Sequence, residues 1–251
     1  MPTLKNKIIP TLTGIGCLWL VVQWLDWSRL LSFEATGRWE EYLLSRQIKL
    51  LLSVIVAVLV WTTGKAALSV RDRWLMRGAF SAIVGADVVF FLNNYYIGIG
   101  LFSLAQMVLI VRHVSGVAAM VQRGWSGNVL RLLLAAGSIG IVNFVLLKLL
   151  FVPQAANPMF PMITGYSFFL CCSLWAGIAS NITGCLPKVN TRMAAIGVGI
   201  LYLGDLTVGL NLILPHAKSY VISTSLTWLF YLPSILLLAL SGYRWERGQG
   251  S

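Results

Sequence analysis

Residues Phe80–Asn94 read "FSAIVGADVVFFLNN": an apolar run with one carboxylate, Asp87, in its middle. A soluble core strand or helix of this kind would sit in a chain with about a quarter charged residues. Here only 11% of the 251 residues are charged and 58% are hydrophobic, with a mean hydropathy of +0.81. The run belongs to a chain whose solvent is mostly lipid. Runs of about 20 apolar residues fit a hydrocarbon core about 30 Å thick.

Outward from this stretch, eight such runs are predicted as helices, over residues 8–27, 47–64, 75–93, 97–114, 129–152, 159–182, 193–214 and 220–242. The expected fold class is an all-α polytopic membrane protein with eight transmembrane helices. It forms a single integral membrane domain over 1–251, with halves at about 8–114 and 129–242. The segment 28–46 reads either as an interfacial amphipathic helix or as a hydrated loop. The first run follows Lys5 and Lys7 like a signal peptide, but it is long, holds Gln23 and Asp26, and has no clear small-residue cleavage site, so it is read as the first span.

An even number of spans puts both termini on one side. Thirteen of the 19 Lys and Arg residues then fall in loops and tails on that side, five on the other, and Lys148 inside a span. The bias puts both termini in the cytoplasm. It also accounts for the net charge of +11 without nucleic acid, for which no binding motif is present. A multi-pass protein of a bacterial inner membrane is the expected location. Cys17, Cys171, Cys172 and Cys185 lie in or near the spans without metal-ligand spacing and read as small packing residues.

An ionised side chain within a span costs roughly 2.5–3.5 kcal/mol on insertion scales, so each needs a reason. Lys49, Asp87, Lys148 and Asp205 stand out, and the span directions place all four in the same half of the membrane. Two acids and two bases at one level are expected to neutralise one another in one internal site, unless the lysines snorkel to the headgroups. The sequence also echoes itself. "GADVVFFLNN" and "GDLTVGLN" each place an Asn six residues after the Asp, pairing Asp87 with Asn93 and Asp205 with Asn211, on the third and seventh spans. That suggests two parallel four-helix halves whose acids converge. Tyr202 and Asn94 fall on the helix faces of their respective aspartates. Asn143, Tyr166, Asn181 and Gln106 are further polar residues within apolar runs, each either interhelical glue or part of a site. No HExxH, GxSxG or Walker pattern occurs, and His113 and His216 lie at membrane edges, so neither a metal nor another cofactor is expected. Proton chemistry then falls to carboxylates.

The stretches "RGAFSAIVGADVVFFL", "IGIGLFSLAQMVLIVRH" and "GILYLGDLTVGLNLIL" resemble the two acidic signatures of the YhhN family of lysoplasmalogenases. "QIKLLLSVIVAV" is similar to that family's lysine-led second helix, and "ITGYSFFLCCSLWAG" to its tyrosine-bearing sixth. The order of these pieces and the helix count agree over most of the chain. The chain departs from the pattern at three points. An additional residue separates Ser81 from Asp87, a spacing that a one-residue π-bulge in the third helix would absorb. Gln106 stands where a histidine is expected and Ile235 where a glutamine is expected, which marks a divergent member. The resemblance implies hydrolysis of the vinyl ether bond of lysoplasmalogens, or of a related lysophospholipid, with Asp87 and Asp205 as the acid–base pair. Lys49 and Lys148 would hold the headgroup phosphate, and Tyr202, Asn94, Asn211, Tyr166 and Gln106 would line the substrate site. The contrasting expectation is a proton-linked transporter of a small or lipid-like solute, in which paired acids within the membrane also occur.

Overall fold

The computed structural model describes residues 4–36, 43–122, 127–213 and 217–245. Among these residues the protein is all-helical, without a strand, and nine α-helices follow one another: α1 (Leu4–Thr36), α2 (Leu43–Trp61), α3 (Val70–Phe91), α4 (Tyr95–His113), the short α5 (Val117–Gln122), α6 (Gly127–Leu146), α7 (Phe160–Thr183), α8 (Lys188–Ile213) and α9 (Ala217–Leu240). All but α5 form segments long and apolar enough to cross a membrane, eight in all. The protein is a multi-pass integral membrane protein.

The boundaries follow local chemistry. Ser69 caps α3 by accepting a hydrogen bond from the Asp72 amide at 3.0 Å. The α3–α4 turn closes on Asn93, whose φ of 61° lies in the left-handed region that Asn tolerates better than most residues. Asn94 then caps α4 through the Ile97 amide. Gly184, with φ 63°, ends α7.

Two expectations are corrected here. α1 does not stop near residue 27 but runs on to Thr36, because nothing in "DWSRLLSFEAT" breaks a helix and Asp26 finds partners on α2. His216, with Arg38 and Trp39, falls outside the described residues. α3 carries no π-bulge between Ser81 and Asp87: it is α-helical throughout, and the π turn lies instead at Leu147–Phe151, where it ends α6.

Packing arranges the helices as a closed ring, α2–α3–α4–α7–α8–α9, in which α9 returns to α2. α1 lies outside it against α2 and α9, and α6 lies outside it against α7. The ring's interior is filled by Leu52, Phe80, Ile83, Leu109, Leu201, Ile235 and Leu238, all fully buried. α7 and α8 approach closely at Gly177, where an added Cβ would stand 2.3 Å from a Val198 methyl. Such small-residue contacts are how helices pack when lipid supplies no hydrophobic drive. α6 is the most exposed span: Leu132 is its one buried residue, and Leu134, Ile141 and Phe144 point outward.

Candidate functional site

Within one half of the ring lies a cavity of about 250 Å³. α3 contributes Asp87 and α8 contributes Asp205, and both side chains line it. The Tyr231 hydroxyl, from α9, donates to Asp87 Oδ2 at 2.7 Å. The Tyr166 hydroxyl, from α7, donates to Asp205 Oδ2 at 2.7 Å. Gln106 Nε2, from α4, reaches the same Asp205 oxygen at 3.5 Å, and the Ser53 hydroxyl of α2 lies against the Asp87–Tyr231 pair. α3 and α8 thus bring the two acids, and α4, α7 and α9 each bring a polar partner to them, within a mostly apolar wall. Trp228 and Phe102 hold the Tyr231 ring edge-on, at centroid distances of 5.1 and 5.9 Å.

The anticipated residues divide. Asp87, Asp205, Tyr166 and Gln106 come together. Tyr202 lines the cavity but turns its hydroxyl to Asn143 Oδ1 of α6, at 3.4 Å, away from Asp205. Asn211 also lines the cavity and accepts a hydrogen bond from the Ser223 hydroxyl. Asn94 is an exposed helix cap and takes no part, because a short polar side chain at a helix start is held by the backbone amides there. Lys148 is exposed on the π turn, as α6 lies outside the ring and its lysine projects away from the interior. Lys49 reaches the cavity, yet its partner is not one of the paired acids. Its Nζ lies 2.6 Å from Asp26 Oδ2 of α1, and Ser45 donates to the other Asp26 oxygen at 2.7 Å. The expected mutual neutralisation of two acids by two lysines is therefore corrected to one buried ion pair beside two hydroxyl-bound acids.

Sequence reasoning missed Tyr231 and the role of Asp26. It also missed a second buried polar knot, at the other end of the same helices, in which Arg112 of α4 binds Asp72 of α3 at 2.7 Å. No group of three or more His, Cys, Asp and Glu side chains gathers as a metal site would among the described residues. What the cavity offers is two carboxyls held by phenols, with the Lys49 and Arg46 side chains and the amides of Asn143 and Asn211 set in a mostly apolar wall, which is equipment for proton transfer.

Two predictions arise here. Tyr231→Phe and Tyr166→Phe each remove a donor from one acid without changing the ring's packing. Each is expected to leave the melting temperature close to that of the parent and, in the hydrolase proposed below, to lower turnover about 10- to 100-fold. Lys148→Ala is expected to change neither. Lys49→Ala leaves Asp26 buried without its cation, at a cost of about 3 kcal/mol, and should lower the melting temperature of the purified protein.

The fold and the cavity define a class: a polytopic α-helical membrane protein with a paired-carboxyl site inside its helix ring. Comparison with family models, with curated proteins and with solved structures yields no match to the chain.

Proposed function

We propose that the protein is a membrane-embedded hydrolase that cleaves the vinyl ether bond of lysoplasmalogens, or of a closely related lysophospholipid, by acid–base catalysis at Asp87 and Asp205. The observation that carries this reading is the meeting of two carboxyls, each on a tyrosine hydroxyl, in one cavity whose remaining wall is mostly apolar. Vinyl ether hydrolysis asks for one carboxylic acid and one carboxylate. The acid protonates the alkene carbon remote from oxygen, and the resulting oxocarbenium ion is stabilised by the nearby carboxylate. Water adds to the cationic carbon and gives up a proton to that carboxylate. The hemiacetal then collapses to a fatty aldehyde and the free glycerol hydroxyl, so one water is consumed and the protons balance. Two acids in one apolar site suit this division, because such a site disfavours a second charge beside the first.

Lys49 and Arg46 both line the cavity, and in this reading they, rather than Lys148, face the headgroup phosphate. Both termini are cytoplasmic by loop charge, which places the acids in the outer half of the membrane, and a bacterial inner membrane is the proposed location. The test is aldehyde release from a lysoplasmalogen by the purified protein in detergent micelles. Release that depends on both aspartates supports the hydrolase, and none from well-folded protein rejects it.

A second reading, a proton-linked carrier, is favoured by one observation. α3 and α8 each hold a buried polar residue at their third position, Asp72 and Asn190, and an acid fifteen residues later, Asp87 and Asp205. The ring's pairings also map onto themselves when the first four spans are exchanged with the last four. Parallel repeats of this kind are frequent in carriers. A carrier works only across a sealed membrane, so activity in detergent separates the two.

A further inference from the structure

We propose that the side of the cavity facing α6 and α8 is a subsite for one unbranched hydrocarbon chain, reached from the bilayer between those two helices. The proposal rests on the reading of the cavity as the site of a membrane amphiphile and says where its chain lies.

The ring itself decides which side is open. The α3–α4 wall is closed by stacked rings: Phe90 lies 6.0 Å from Tyr95 and 5.7 Å from Phe102, and Gly98 admits the Phe90 ring so closely that an added Cβ would stand 2.7 Å from it. The α8–α9 and α2–α3 pairs pack directly on each other. Between α7 and α8 the close contact at Gly177 lies far from the acids along α7. Near the acids, the cavity's lining extends beyond α7 and α8 to α6, which supplies Asn143 and Leu146, and to the π turn, which supplies Leu147 and Phe151. α6 is external to the ring, yet its half-buried stripe looks into the ring's interior. α1, the other external helix, contributes no lining residue among those described.

α6 is held at both ends and only lightly between them. Near its start, Trp175 of α7 donates to the Leu132 carbonyl at 3.0 Å. Beyond its end, the π turn seats Phe151 against Gly209 of α8, where an added Cβ would stand 3.1 Å from the ring. In the stretch between, the polar tie to α8 is the long Tyr202–Asn143 hydrogen bond. Beyond that tie, toward Phe151, the walls are Leu146, Leu147, Ile163 and Leu206. A polar headgroup gains nothing from such walls, whereas each buried methylene of a chain contributes about 0.8 kcal/mol. One polar tie is a small barrier to a flexible chain, and it lies beside the acids, where the reacting end of that chain would stop.

The test uses the purified full chain in lipid nanodiscs and a lysophosphatidylcholine whose chain ends in a diazirine. After illumination, adducts are mapped by mass spectrometry with and without excess unlabelled lysophosphatidylcholine. The expected result is displaceable labelling of residues 143–151 and 202–209, falling about tenfold in Leu146→Trp, which fills the subsite. If that variant does not purify as a folded protein, Leu147→Trp on the π turn replaces it. Displaceable adducts on the α3–α4 wall instead, no displaceable adducts at all, or labelling unchanged by the filling variant overturns the proposal. Labelling needs no turnover. A protein that labels as expected but releases no aldehyde loses the hydrolase reading and keeps the chain subsite, and the converse result does the opposite.

Discussion

Asp87→Asn and Asp205→Asn should each reduce aldehyde release by about 10³-fold or more while leaving a folded, monodisperse protein. The magnitude follows from role. A positioned acid or base contributes roughly 10²–10⁴-fold, and in this scheme one aspartate supplies the proton while the other stabilises the cation and takes a proton from water. The fold should survive because asparagine keeps a carbonyl oxygen where the carboxylate had one. Tyr231 and Tyr166 can still donate to it, at sites where both now donate at 2.7 Å. Removing a charge from an apolar enclosure carries no desolvation penalty of its own. Aldehyde is measured directly by mass detection, and folding by thermal melting of the same preparation. A variant that turns over at the parent rate removes its aspartate from the mechanism. A variant that loses melting temperature and activity together makes that aspartate a structural tie between helices. If the parent itself releases no aldehyde in detergent, the carrier becomes the leading reading, and the same two variants should then abolish proton-coupled uptake into sealed vesicles.

The spans were legible because apolar length is a property of the chain alone, and the two acids because a charge in an apolar run cannot be hidden. That Lys49, Asp87 and Asp205 fall at one level along their helices was legible too, from helix direction and residue number. Position around the ring was not. Leu146 and Leu147, beside Lys148, line the same cavity, yet α6 stands outside the ring with Lys148 exposed, and no periodicity in "NFVLLKLLF" says so. Tyr231 sits in "WLFYLPS", where any aromatic reads as core, and its hydroxyl becomes meaningful only opposite Asp87, 144 residues away in the chain. The end of α1 was misplaced for a related reason. Ser28 and Arg29 look like the start of a loop or of an interfacial helix until Asp26, just before them, is seen to meet Lys49 and Ser45 on α2. Asn94 shows the opposite error, in which a polar residue on the face of the acid is fully employed by its own helix start.

Arg112→Ala should be the most destabilising single substitution away from the cavity. Arg112 is almost fully buried, and its guanidinium makes five hydrogen bonds: two to the Asp72 carboxylate, two to the Ser241 hydroxyl and carbonyl, and one to His113 Nε2. Asn190 donates to the same Ser241 carbonyl at 2.8 Å and to that of Tyr243 at 2.6 Å. The knot therefore fastens α3, α4, α8 and the end of α9 at one edge of the ring. These are the helices that carry Asp87, Gln106, Asp205 and Tyr231, and about 22 Å of helix separates Asp72 from Asp87. Alanine leaves the buried Asp72 carboxylate without its cation, at a cost of about 3–5 kcal/mol. In a chain of this size that is a fall in melting temperature of about 10 °C. Arg112→Lys should recover only part of the loss, since an ammonium cannot span a carboxylate, a carbonyl and a ring nitrogen at once. The paired variant Arg112→Leu with Asp72→Leu should be less damaged than Arg112→Ala, because it removes both charges and leaves apolar volume in their place. Melting within about 2 °C of the parent for Arg112→Ala would mean that the knot does not hold the ring. Where the protein stays folded below its lowered melting point, aldehyde release should persist: the knot positions the helices from a distance and touches none of the reacting groups.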